Sequence, residues 1–104
     1  MKIKHKYGAK PTERDGIKFA SKAESKYYEK LKLLQKNGDI LFFLRQTPFH
    51  LPGNVKYLVD FVEFWADGTV VFTDVKGFFT PISSLKIKQV EDCYFPVKIN
   101  IVNS

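Results

Sequence analysis

The sequence predicts an α/β domain whose elements follow the order α-β-β-β-α-β. Three observations carry that expectation. Apolar residues recur at helical spacing between Ser21 and Lys36, with capping residues at both ends. Two runs rich in β-branched and aromatic residues, Tyr57–Trp65 and Thr69–Lys76, flank Ala66-Asp67-Gly68 and read as a hairpin. A second helical stretch opens at Thr80-Pro81, and Pro96 separates it from an alternating run. At 104 residues the chain suffices for one domain with a modest core and is too short for two.

Taken in order, residues 1–18 read as irregular, a basic and flexible arm broken by Gly8, Pro11 and Gly16. The first helix spans about Ser21 to Lys36. Ser21-Lys-Ala-Glu24 matches a capping box, and Asn37-Gly38 supplies the stop. Ala20, Glu24, Tyr27, Leu31 and Leu34 form its inward stripe, while Lys22, Lys26, Glu29, Lys32 and Lys36 fall on the other side. Ile40–Arg45 reads as a strand. Gln46 to Gly53 is a break or an edge extension, because its prolines cannot donate to a ladder. After the hairpin, a helix from Pro81 to about Tyr94 would bury Ile82, Leu85, Gln89 or Val90, and Cys93. Val97–Val102 forms the last strand.

The hairpin holds Asp60, Asp74 and Lys76 within apolar or β-branched runs, where an unpaired charge is costly. Its register decides whether the aspartates meet. A two-residue loop, Asp67-Gly68, pairs Asp60 with Val75 and puts the aspartates on opposite faces. A three-residue loop, Ala66-Asp67-Gly68 with Gly68 left-handed, sets Asp60 opposite Asp74, Leu58 opposite Lys76 and Val62 opposite Phe72. Opposed residues have Cβ atoms roughly 4.5–5.5 Å apart. Two carboxylates at that distance destabilise a sheet unless a cation stands between them, and hard oxygen donors suit Mg²⁺ or Mn²⁺. Lys76 follows Asp74 by two and projects on the same face. With the two-residue loop that site does not exist.

The net charge of +6 points to a polyanionic partner, and the excess is concentrated between Lys2 and Lys36. Such contacts to phosphate are salt-sensitive and blind to sequence. The same lysines also read as a solvated helix face. One cysteine, Cys93, excludes an internal disulfide and reads as a small apolar filler; His5 and His50 add no zinc-ligand spacing. No segment approaches the roughly 20 apolar residues of a membrane span, and the N-terminus lacks the apolar run of a signal peptide. The expected location is therefore intracellular, with no membrane partner.

With these residues in place the chain resembles the PD-(D/E)XK nuclease superfamily. The resemblance rests on Glu24 in the first helix, Asp60 on the next-but-one strand and Asp74-Val75-Lys76 on the strand after it. More closely, it looks like a family of small phage-encoded proteins of unknown function. That likeness covers about residues 7–80, through Tyr7-Gly-Ala-Lys, Gly16-Ile-Lys-Phe, Ser21-Lys-x-Glu, Leu31-Lys-Leu-Leu, Gln46-x-Pro-Phe, Tyr57-x-x-Asp-Phe and Asp74-Val-Lys-Gly-Phe. Two departures stand out: Val59 replaces a frequent proline, and Asp74 replaces the commoner glutamate, shortening that arm by about one methylene.

The resemblance implies a restriction-endonuclease-like core, a mixed sheet of about four strands flanked by helices. It implies a Mg²⁺- or Mn²⁺-dependent DNA endonuclease with Glu24, Asp60, Asp74 and Lys76 as catalytic residues. Asp60, Asp74 and Glu24 would be the metal ligands, and Lys6, Lys10, Lys18, Lys22, Gln46 and Lys86 would contact nucleic acid. Glu24 also fits a capping-box role and Gln46 a polar strand end. Glu63 should face away from Asp60, and Glu91 and Asp92 should sit on a solvated helix end. So small a domain has little surface for reading bases, so selectivity for branched or junction DNA is expected rather than sequence specificity. A homodimer would supply two sites for two strands, and a phage-encoded chain would act in the host cytoplasm. The alternative is a nucleic-acid-binding module on the same fold with weak or no catalysis.

Overall fold

A computed structural model of the chain describes residues 12–78 and 80–103. Its elements are β1 (Thr12–Arg14), β2 (Ile17–Phe19), α1 (Lys22–Lys36), β3 (Ile40–Leu51), β4 (Val55–Trp65), β5 (Val70–Lys76), α2 (Pro81–Cys93) and β6 (Ile99–Asn103). From α1 onward this is the expected order. The four long strands form one mixed sheet, β3-β4-β5-β6, with β5 and β6 parallel and the other pairs antiparallel.

The expected irregular stretch before α1 is corrected over residues 12–19. Asp15-Gly16 carries φ of 52° and 74°, the left-handed pair that a tight two-residue hairpin requires, and it joins β1 to β2. The hairpin is tied to α1: Phe19 packs at 5.0 Å from Tyr28, the Tyr28 hydroxyl donates to Asp15 at 2.9 Å, and Arg14 pairs with Glu29 at 2.7 Å.

In α1, Ser21 caps the helix by accepting from the Glu24 amide at 3.1 Å. Glu24, Tyr28 and Leu31 are buried, with Tyr27 and Leu34 packed beside them. Ala20 precedes the cap and is exposed, so the inward stripe starts one turn later than expected. In α2 the Thr80–Ser83 capping box and Pro81 are as anticipated. Its buried face agrees with the expected one only at Val90. Val90 and Ile87 pack inward and Tyr94 meets Phe49 edge to face, whereas Ile82, Leu85 and Cys93 are exposed. The true face lies one residue, roughly 100°, around the helix from the predicted one. Glu91 is not a solvated helix end either: its carboxylate accepts the Ile99 amide at 2.9 Å and fixes the start of β6.

β3 runs through Pro48 as the sheet's edge strand, where a missing N–H costs no ladder bond. The β3–β4 ladder explains how one sheet feeds two cores. Phe43 and Phe61 join the α1 cluster, but Phe49 and Val59, an even number of residues away, join the α2 cluster. Alternation forbids this in an unbroken strand. The phase changes at Gln46, whose φ of 50° is left-handed, and across from it at Asp60.

Candidate active site

The β4–β5 register is that of the three-residue loop. Phe61 pairs with Thr73, Val62 with Phe72, Glu63 with Val71 and Phe64 with Val70. Trp65 and Gly68 close the turn, with Gly68 at φ 92°. One step beyond Phe61–Thr73 the ladder stops. β4 continues beside β3 and β5 beside β6, so the two central strands part like a fork. The predicted Leu58–Lys76 pair is therefore not formed, and Lys76 keeps only its neighbour on the other side, Asn103 of β6.

Asp60 and Asp74 stand in the crotch of that fork. The Asp60 amide donates to Asp74 Oδ1 at 2.9 Å, and the Val75 amide donates to Asp60 Oδ2 at 2.9 Å. The carboxylates thus accept the amides that parting strands leave unpaired, which local backbone accounting requires. The Tyr57 hydroxyl donates to the other oxygen of Asp74, and the Lys76 ammonium lies 5.8 Å from the Tyr57 ring centroid. Asp74 is fully buried.

Glu24 approaches from α1. It does not turn back to the Ser21 amide; its carboxylate instead accepts from Gln46 Nε2 at 3.2 Å and lies 3.6 Å from Arg45. The same Gln46 nitrogen donates to Asp60 at 3.3 Å. A left-handed glutamine is uncommon, and here the turned backbone aims one amide between two carboxylates. Arg45 rests over the Phe19 ring at 4.5 Å, and its buried Nε has no acceptor.

The charges explain the shifted acidities. Burial, then the nearby Asp60 carboxylate, pushes Glu24 up to about 7, with Arg45 and Gln46 offsetting part of the rise. Burial also raises Asp60 and Asp74, against the Val75 amide at Asp60, the Asp60 amide at Asp74, and the Lys76 charge at both. Three carboxylates share two cationic side chains, so the cluster is short of positive charge. Among the described residues no ready-made group of three His, Cys, Asp or Glu ligands is present. Hard oxygens converging on one donor group nevertheless fit a hard divalent cation, which would replace the Gln46 amide between Glu24 and Asp60.

Of the predicted site residues, Glu24, Asp60, Asp74, Lys76 and Gln46 come together. Lys18 is exposed on β2, Lys22 is exposed at the start of α1, and Lys86 is half-buried on α2. Lys6 and Lys10 lie outside the described residues. Glu63, expected to face away from Asp60, makes no hydrogen bond to the cluster but points to α1, the helix that carries Glu24; it is 1% exposed and accepts from Tyr27 at 2.6 Å and Trp65 at 3.0 Å. Sequence reasoning assigned no role to Tyr57 or Arg45. Tyr57 stands three residues before Asp60 in the same strand, and Arg45 adjoins Gln46, a polar pair inside an apolar run.

The chain matches the family described as Protein of unknown function (DUF1064) over residues 4–104, and it belongs to that family. No curated protein and no solved structure matches it significantly.

Proposed function

We propose that this member of a family without an assigned activity is a Mg²⁺- or Mn²⁺-dependent DNA endonuclease of the PD-(D/E)XK kind. The observation that carries the reading is the fork: Asp60 and Asp74 meet where the central strands part, joined to Glu24 through Gln46 and flanked by Lys76. A structural sheet has no use for three clustered carboxylates whose burial raises every one of them.

In this reading Asp60 and Asp74, with Glu24, hold the divalent cation. When bound, that ion lowers the pKa of water and neutralises charge developing on the phosphate. Glu24, joined to Asp60 through the Gln46 amide, would help to order the attacking water. Lys76, whose charge already acts on both aspartates, neutralises charge building on the phosphate oxygens. Tyr57 and the Asp60 amide fix the Asp74 carboxylate, and the Val75 amide fixes that of Asp60. The exposed Lys18 and Lys22 supply contacts to the backbone phosphates, which position DNA without reading its sequence. The preferred substrate is branched or junction DNA.

The test incubates the protein with branched, duplex and single-stranded DNA in Mg²⁺, Mn²⁺ or EDTA, beside Asp74→Asn. Cleavage in metal, abolished by EDTA and reduced about a hundredfold or more by Asp74→Asn, is the expected result. No metal-dependent cleavage of any substrate, or cleavage indifferent to Asp74→Asn, sinks the proposal. Binding without cleavage would instead establish a nucleic-acid-binding module.

A further inference from the structure

α1 and the β5–β6 side of the sheet enclose an open groove of about 510 Å³. Lys22, Lys26 and Lys30 form one wall, Tyr27 lies among them, and Val75 and Val102 lie across from them. The lysines recur every four residues, so they rise by about 6 Å each along one side of the helix. Like charges at that spacing destabilise a helix unless something answers them. Nothing on α1 does. Its two acids are engaged elsewhere, Glu24 with Arg45 and Gln46, and Glu29 with Arg14. Among the described residues no acidic side chain lines the groove.

Tyr27 is held there with unusual firmness. Its hydroxyl donates to Glu63, a buried carboxylate whose other oxygen is taken by the Trp65 indole. Its ring packs 5.3 Å from Phe61, and the Lys30 ammonium stands 5.6 Å from the ring centroid. Burying a carboxylate to anchor a half-buried tyrosine at the edge of the groove is costly, so the ring's position matters beyond packing. An aromatic face beside a row of cations is the arrangement that holds single-stranded nucleic acid, with phosphates on the charges and a base on the ring. The groove has the volume of a small-ligand pocket, room for a nucleotide or two, and stacking on Tyr27 requires an unpaired base. It also adjoins the carboxylates. Val75 is the residue whose amide holds Asp60, and Lys22 lies two residues before Glu24.

We propose that this groove carries an unpaired DNA strand to the fork, its phosphates on Lys22, Lys26 and Lys30 and a base on Tyr27. The destination of the strand rests on the nuclease reading; the track itself does not. The test is fluorescence anisotropy in EDTA, with fluorescein-labelled oligothymidylate and a blunt duplex of equal length as probes. Wild type should bind the single strand more tightly than the duplex. Joint Lys26→Ala and Lys30→Ala should weaken single-strand binding about tenfold or more and make its logarithmic salt slope shallower by about 1.4. Tyr27→Leu should weaken binding roughly tenfold and leave the slope unchanged. Since Tyr27 is packed, the two surface lysines decide the matter if that variant does not fold. Unchanged single-strand affinity in the lysine variant, or a duplex bound as tightly as the single strand, overturns the proposal. Binding without metal is independent of cleavage, so a protein that binds in this way yet never cuts refutes the nuclease and leaves the track.

Discussion

Glu24 is the residue whose protonation reports most directly on the cluster. Folding raises its pKa from 4.5 to about 7, chiefly through burial and then through Asp60. Between those values the folded state holds a proton that the unfolded state has released. Stability therefore falls as pH rises through that window and stays low above it. Asp60 and Asp74 are raised too, so their contributions have the same sign and begin in the ordinary carboxylate range. For Glu24 the loss is at most about 3 kcal/mol, less whatever solvent screening removes. That is a large share of the roughly 5–15 kcal/mol that holds a small domain together. Urea unfolding at pH 5 and pH 8 should show wild type losing stability at the higher pH and Glu24→Gln losing clearly less. Equal losses would mean that ionisation of Glu24 is not what the cluster resists.

At the scale of elements, the loop between β4 and β5 sets the site, because one residue more or fewer turns every side chain to the other face. Gly68 holds that loop at φ 92°, and a Cβ there would meet open space. The cost of Gly68→Ala is then conformational alone, about 1–2 kcal/mol. Chemical denaturation should show that loss with an unchanged denaturant slope, whereas a changed slope would mean that the register itself has moved. Whether the turn spans two residues or three is decided only by the ladder. That a turn stands here is legible in the sequence, because Ala66-Asp67-Gly68 contains its own turn chemistry. The capping of α1 was legible for the same reason, although Glu24 left its box for Gln46. The β1–β2 hairpin carried an equally local signal in Asp15-Gly16, masked by the breakers around it and by strands only three residues long. The face of α2 could not be read this way. Ile82, Leu85, Ile87 and Val90 put apolar groups on more than one side, and only packing against Phe49 and Ile99 selects among them. The turn at Gln46 was equally hidden. Nothing in the identity of a glutamine announces a left-handed backbone, so its double contact with Glu24 and Asp60 appears only in three dimensions.

For the molecule as a whole, β4 lies between the two cores and serves both, one on each face of the sheet. Val59 and Val62 belong to the α2 cluster, and Phe61 to the α1 cluster. A strand shared in this way leaves neither core a boundary along which it can melt alone, so the two should unfold as one unit. Trp65, the single tryptophan, packs against the α1 cluster and reports on that side. Val90 is fully buried on the other side, against α2's own cluster. Val90→Ala deletes buried methyl groups in the cluster that does not hold the indole and should cost about 1–3 kcal/mol. If β4 couples the cores, Trp65 fluorescence and far-ultraviolet circular dichroism will give coincident urea transitions in wild type. Both will then shift to the same lower midpoint in Val90→Ala. A fluorescence transition that stays put while the dichroism moves would show that the α2 side opens independently. The carboxylates in the fork would then join two bodies able to move apart, instead of standing on one rigid frame.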